Sequence, residues 1–174
     1  MDFKSLTTFI GSAAIMLSAS ISYAGDTGIG TINPANNACG FLESVGLKSQ
    51  GWGVLAGGDY GCPSNMKEFG SASGSFERND IRYYVISANG KSLTELKIFV
   101  NVNNSKDYAS ARKELLNAAN VLMRNLGVES LPSQLSSAIN TSSSKSLKIN
   151  GMDVSLVKMP WGNSGNYSIK LVIN

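Results

Sequence analysis

The strongest constraint on the fold is Asn89-Gly90, a hairpin signal that lies between two segments typical of β-strands. Residues 81–87 are β-branched and aromatic, and residues 93–102 alternate between apolar and polar side chains. An Asn-Gly pair in such a position favours a tight turn whose backbone twist matches that of the flanking strands. The sequence therefore predicts an antiparallel pair of strands. The core-facing residues predicted for the second strand are Leu96, Ile98, Val100 and Val102.

The region after this hairpin contains the strongest helical pattern in the chain. Apolar residues recur at helical spacing from Tyr108 to Leu126, and Gly127 follows at the position where a helix typically ends. A shorter helix is predicted over residues 131–140, and three strands are predicted after it. We therefore expect an α+β fold in which an antiparallel sheet of about five to six strands packs against one long helix, as a two-layer sandwich.

The beginning of the sequence predicts an exported precursor. Lys4 precedes an uncharged apolar segment, residues 6–17, and Ser22-Tyr23-Ala24 provides the small residues that signal peptidase requires before its cut. The apolar segment has about a dozen residues, whereas a membrane-spanning helix needs roughly 20. We expect residues 1–24 to be a cleaved signal peptide, residues 25–34 a flexible lead-in and residues 35–174 a single α+β domain. After cleavage, no stable membrane insertion is expected.

The chain has two cysteines, Cys39 and Cys62, and both follow the expected cleavage site. In an oxidising compartment an even number of cysteines predicts disulfides, and two cysteines allow only one pairing. A short N-terminal helix that begins near Asn36-Asn37 and ends at Gly46 would contain Cys39, so the disulfide would tie this helix to the rest of the domain. A catalytic or redox thiol is the alternative, but the chain has neither a C-x-x-C pair nor a histidine to activate one.

The absence of histidine from the sequence narrows the possible chemistry. It excludes Ser-His-Asp and Cys-His nucleophilic catalysis and histidine-based zinc sites. S-x-x-K matches at residues 64–67 and 142–145 lack the S-D-N and K-T-G companions found in penicillin-binding enzymes. Glu68, Glu77 and Asp80 leave open a carboxylate pair for glycoside cleavage, although solvated loops explain them more simply. We expect no cofactor, no metal and no catalytic residue.

The aromatic residues of the predicted strands indicate a binding surface. Lys97 and Phe99 lie on the non-core side of their strand, and Tyr84 joins them if its neighbour Tyr83 is turned inward. We predict that the sheet face centred on Tyr84, Lys97 and Phe99 binds a partner that offers an apolar patch and a carboxylate. The alternative is that the helix predicted over residues 131–140 covers this face.

The net charge of +3 comes from scattered basic residues rather than from a basic cluster with aromatics, so no nucleic-acid binding is expected. No motif places the chain in a known family. The sequence favours a periplasmic or secreted, non-enzymatic protein that binds another protein in the envelope or outside the cell. It would act as an inhibitor, an immunity-type protector or an envelope accessory factor. The alternatives are a small-ligand-binding periplasmic protein and a histidine-free cell-wall hydrolase.

Overall fold

Residues 28–72, 77–162 and 165–174 are described by the computed structural model, and the predicted signal peptide lies outside them. These residues form an α+β structure in which a large antiparallel sheet packs against helices. The strands and α-helices, in chain order, are β1 Gly53–Val54, β2 Tyr60–Pro63, β3 Lys67–Phe69, β4 Asn79–Ser87, β5 Glu95–Val102, α1 Tyr108–Asn125, α2 Ser133–Thr141, β6 Lys145–Ile149, β7 Met152–Pro160 and β8 Tyr167–Ile173.

The sheet has eight strands, so the expectation of five to six was too low. Seven strands follow the order β1-β2-β4-β5-β8-β7-β6, and β3 pairs with β4 beside β2. The additional strands β2 and β3 come from residues 60–69, where Gly, Pro and polar residues hide any alternating pattern. They form because the free edge of β4 supplies backbone partners, which a local sequence pattern does not reveal.

The hairpin predicted at Asn89-Gly90 is present, and β6 and β7 form a second hairpin at another Asn-Gly pair, but the two turns differ. Asn150 and Gly151 form a two-residue turn with positive φ angles of 47° and 79°, as the Asn-Gly pattern predicts. The β4–β5 connection is longer and runs from residue 88 to residue 94. There the Asn89 side chain accepts hydrogen bonds from the backbone N–H groups of Lys91 (2.8 Å) and Ser92 (2.9 Å). This side-chain capping stabilises a wider loop than the two-residue turn.

The core lies between one face of the sheet and the helices. Tyr83 is buried at 1% exposure, and the predicted inward residues of β5 are all buried. Helix α1 begins after the 3-10 turn Ser105–Asp107 and contacts β4 and β5. Helix α2 contacts α1, β6 and β7 and contributes three residues to the same core, so it lies on the α1 side of the sheet. Those α2 residues are Leu135, Ala138 and Ile139.

The predicted N-terminal helix is not an α-helix. Two 3-10 helices, Ala35–Gly40 and Glu43–Val45, occupy this region, and Gly46 follows with a φ of 85°. Glycine at position 40 lowers helix propensity in the middle of the segment, and the short i→i+3 turns let the chain bend around buried Leu42. Of the predicted lead-in, Ile29–Thr31 form a further 3-10 turn, and Ile29 is buried.

Cys39 and Cys62 form the predicted disulfide, which joins the 3-10 segment to β2. The same segment is also attached by non-covalent contacts. The Tyr83 hydroxyl donates to the Ala38 carbonyl at 3.2 Å, and the Asn125 amide donates to the Phe41 carbonyl at 2.9 Å. Burial raises the pKa of the Tyr83 phenol above its ordinary value, so the hydroxyl stays protonated as a donor.

Among the described residues, no helix has both the length and the apolar character that a membrane crossing requires.

Candidate functional site

The sheet face opposite α1 is the candidate site, and we call it the open face. Strand register divides its centre into three rows that run across β4, β5, β8 and β7. Because neither α1 nor α2 lies on this side, none of the described helices covers it. The first row is Tyr84, Lys97, Val172 and Ser155; the second is Arg82, Phe99, Lys170 and Val157; the third is Asp80, Asn101, Ser168 and Met159.

The first row contains two of the three predicted site residues in direct contact. The Lys97 ammonium lies 5.5 Å from the centre of the Tyr84 ring, within the range of a cation–π interaction. It also forms a salt bridge of 2.8 Å with Glu95, which is partly exposed like Lys97. The Lys97 charge is therefore already compensated within the chain, while the ammonium also contacts the Tyr84 ring.

The second row contains the third predicted residue, Phe99, together with a lysine that was not among the predicted site residues. The Lys170 ammonium lies 5.4 Å from the centre of the Phe99 ring. Unlike Lys97, it has no salt-bridge partner within the described ranges. Its cross-strand neighbour on the other side is Val157, whose exposure of 39% is high for an apolar side chain. Phe99, Lys170 and Val157 thus combine apolar surface with a positive charge free to meet a carboxylate.

A hydrogen-bonded chain of side chains forms the third row. Asp80 is only 6% exposed and accepts from the Asn101 side-chain amide at 3.2 Å. The Ser168 hydroxyl donates to the Asn101 carbonyl oxygen at 2.9 Å, and the Trp161 indole donates to the Ser168 oxygen at 2.9 Å. Asn103 donates a further bond to Asp80 at 3.2 Å. This network fixes the partly exposed indole of Trp161 at the end of the open face.

The structure therefore places Tyr84, Lys97 and Phe99 on one face, with Tyr83 turned into the core. Lys170 and Trp161 also belong to this face, although they were not among the predicted site residues. The alternation of residues 167–173 places Lys170 on the non-core side, which is a signal available in the sequence. That signal did not reveal which strand lies beside Phe99, because the order of strands in a sheet depends on tertiary packing.

The S-x-x-K matches at residues 64–67 and 142–145 form no nucleophile–base pair. The Ser64 hydroxyl donates to the Asn65 carbonyl and accepts from the Tyr83 N–H, whereas Lys67 forms a salt bridge with Glu114 at 2.9 Å. In the second match, the Ser142 hydroxyl is hydrogen-bonded to the Tyr167 hydroxyl, and Lys145 is exposed on β6. Each of the two serine hydroxyls is thus within hydrogen-bond reach of a group other than the lysine that the motif would pair with it.

The three candidate carboxylates do lie together. Glu68, Glu77 and Asp80 line one surface hollow with Met66, Arg78 and Asn103, and Glu68 is the cross-strand partner of Asp80. The Asp80 carboxylate accepts hydrogen bonds from the side-chain amides of Asn101 and Asn103, and its Oδ1 lies 3.9 Å from the Arg82 Nε. These contacts give Asp80 a structural role in the third row. In the described part of the chain, no group of three or more acidic or cysteine side chains has the geometry to hold a metal ion.

Comparison with known proteins finds no match to any family, curated protein or solved structure.

Proposed function

We propose that this chain is an exported, non-enzymatic protein that binds another protein through the open face. One observation supports this more than any other: an aromatic surface on which no described helix packs, and whose side chains are held in place by neighbours. Phe99 and Trp161 present apolar area, while the Lys97–Tyr84 contact and the Asp80 network restrict movement. Side chains that are already ordered lose less entropy when a partner binds, so such a surface suits specific association.

The expected partner surface is apolar at its centre and carries a carboxylate. Phe99 and Val157 favour an apolar patch, and the Lys170 charge, which no described carboxylate pairs, favours an acidic group beside it. A protein fits better than a small molecule because small-molecule sites are concave pockets, whereas the open face is one side of a sheet. The inhibitor, immunity-type protector and envelope accessory roles all require this kind of association.

Export to the periplasm or beyond is part of the same proposal. The disulfide between Cys39 and Cys62 is compatible with an oxidising compartment, where such bonds persist. The predicted signal peptide over residues 1–24 provides the route. A test is N-terminal sequencing of the protein from the producing cell: a mature start at Gly25 supports export, and an intact residue 1 on reduced cytoplasmic protein contradicts it.

Paired variants test the binding face. The protein is immobilised, envelope extract is passed over it, and a captured partner is identified and titrated against Phe99→Ser and Lys170→Glu. We expect each substitution to weaken binding by about 30-fold or more, the size of a hot-spot loss of roughly 2 kcal/mol. Tyr108→Ser is the matched control, since Tyr108 is an aromatic residue of 46% exposure on α1, away from the open face.

Thermal unfolding of the same variants distinguishes a site from a core position. Substituting a binding residue on an uncovered face should lower the free energy of unfolding only slightly. Truncating a buried aromatic residue to serine should lower it by about 3–5 kcal/mol. If Phe99→Ser unfolds the protein, or if Tyr108→Ser weakens binding as much as Phe99→Ser, then the open face is not the binding site.

A further inference from the structure

Strand β6 lies at one end of the sheet, and its outer edge is unpaired within the described residues. The direction of its backbone groups follows from its partner. Asp153, opposite Lys148, exchanges both of its backbone hydrogen bonds with Asn174, at 2.9 and 3.0 Å. The N–H and C=O of Lys148 therefore point away from β7, and by alternation those of Ser146 do so as well. Two residues thus offer donors and acceptors to an added strand.

Surface hollows flank this edge on both sides of the sheet. Successive side chains of an added strand would point alternately to the two sides, so both hollows could receive them. On the side facing α2, two adjoining hollows are lined by Ser133, Gln134, Ser137 and Thr141 of α2 and by Lys145, Leu147 and Ile149 of β6. On the other side, a hollow is lined by Ser146, Lys148, Asp153 and Ser155.

The charged side chains beside the β6 edge indicate what kind of strand would bind there. Lys145 and Lys148 line the two α2-side hollows, and no carboxylate lines either of them. The Lys145 side chain lies on the α2 side, whereas the Lys148 side chain lies on the other side with its cross-strand partner Asp153. Asp153 lies 3.4 Å from the Lys148 ammonium, but both side chains are about two-thirds exposed, so solvent screens this pair. Pairing of two copies through β6 would crowd the lysines of both along one short seam, which is unfavourable. An acidic strand avoids this repulsion.

We propose that β6 is a strand-addition site for an extended, acidic segment of a partner protein. The segment pairs with the outward backbone groups of Ser146 and Lys148. It places apolar side chains over Leu147 and Ile149 on the α2 side of the sheet and carboxylates on the other side, beside Lys148. Main-chain hydrogen bonds provide affinity in this mode of recognition, and the flanking hollows provide selectivity. One flanking hollow shares Ser155 with the first row of the open face, but the outward backbone groups of β6 belong to none of the three rows, so substitutions at Phe99 or Lys170 leave strand addition intact.

Amide hydrogen exchange of the ¹⁵N-labelled protein tests the proposal with a synthetic probe. The probe is an acetylated heptapeptide of alternating glutamate and valine. In the free protein, we expect fast exchange at Ser146 and Lys148 and slow exchange at Leu147 and Ile149, which are bonded to β7. The peptide should slow exchange at Ser146 and Lys148 by about ten-fold or more at saturation, as expected for newly protected amides.

Two control peptides separate strand addition from charge attraction. A peptide with the same side chains but N-methylated on alternate residues cannot complete the backbone ladder, and it should not protect the two amides. A peptide with lysine in place of glutamate should bind about ten-fold more weakly. Equal protection by the parent and the N-methylated peptide would overturn the proposal. Protection that rises with protein concentration without any peptide would show instead that a second copy occupies the edge.

A pair of variants provides the same test from the protein side. Ser146→Pro removes an outward N–H that β7 does not use, and proline is tolerated at such an edge position. It should weaken peptide binding about ten-fold, whereas Ser146→Ala, which keeps the N–H, should bind as the wild type does. Equal binding by both variants would refute the proposal. If Ser146→Pro loses slow exchange at Leu147 and Ile149, the substitution has disrupted the pairing of β6 with β7. In that case the parent and the N-methylated peptide, compared on the wild-type protein, decide whether a strand is added.

Discussion

Reduction of the Cys39–Cys62 disulfide should destabilise the domain without unfolding it. The bond closes a loop with a sequence separation of 23 residues. The chain-entropy relation converts a loop of this length into about 3.4 kcal/mol of stabilisation at 25 °C. For a domain of roughly 150 residues, the unfolding entropy near 60 °C turns that loss into a decrease in Tm of roughly 10 °C. Because reduction removes no heavy atom from this part of the core, no cavity term adds to this value.

The fold should survive because other contacts also hold the 3-10 segment. Ala35, Ala38 and Leu42 remain buried, and the hydrogen bonds from Tyr83 and Asn125 to this segment do not depend on the disulfide. These contacts explain why we expect a lower Tm rather than a disordered protein at room temperature.

Calorimetry with and without a phosphine reductant measures the effect. The control is the double variant Cys39→Ala/Cys62→Ala, whose Tm should not respond to the reductant. A decrease of less than about 3 °C in the wild type would refute the loop-entropy reasoning. Loss of the native spectrum at 25 °C on reduction would instead show that the disulfide, and not the burial of this segment, holds it in place.

Two further predictions concern the junction between β3 and α1. Gly70→Ala should lower the free energy of unfolding by about 1–3 kcal/mol, because Gly70 has a φ of +74° and an added Cβ would collide with the Asp107 carboxylate. Chemical denaturation should show no comparable loss for the control Gly53→Ala, whose Cβ would meet open space. Hydrogen bonds from the Ser110 hydroxyl and the Ser71 N–H lower the pKa of Asp107 in the folded state. The Asp107 carboxylate therefore contributes its full stabilisation above the unfolded-state pKa. This stabilisation disappears as the pH falls through the lower folded-state pKa. Stability measured below about pH 4 should therefore decrease more steeply in the wild type than in Asp107→Asn, and parallel curves would contradict this assignment.

The sequence was most informative where a local pattern and tertiary packing agree. The alternation in β5 and the spacing in α1 both identify their buried faces, since each element has one side against the same core. The inward position of Tyr83 was left open by the sequence, because Tyr83 and Tyr84 are chemically similar. The register between β4 and β5 determines which tyrosine faces inward. Tyr83 pairs with Ile98 on the core side, and Tyr84 pairs with Lys97 on the other side.

The sequence was least informative where pairing depends on distant segments. β2 contains Gly61 and Pro63, which disfavour a strand locally, yet it pairs with β4 over four residues. The N-terminal segment has a helical spacing of apolar residues, but Gly40 and the packing of Leu42 favour 3-10 turns. The contact of Lys170 with Phe99 requires β8 to lie beside β5, an order that follows only from the complete sheet.

The polar third row gives a physical reason to regard the open face as more than a solvated surface. Surface side chains ordinarily hydrogen-bond to water, but Asp80 and Ser168 are 6% and 1% exposed and bond to side chains instead. Removing a carboxylate from water costs free energy unless fixed donors replace it, and Asn101 and Asn103 provide those donors. The outcome of this arrangement is a Trp161 indole that is anchored through its N–H while its ring remains partly exposed. An indole held in this way keeps its apolar surface available at little further entropic cost, which is the property that a protein-binding surface needs.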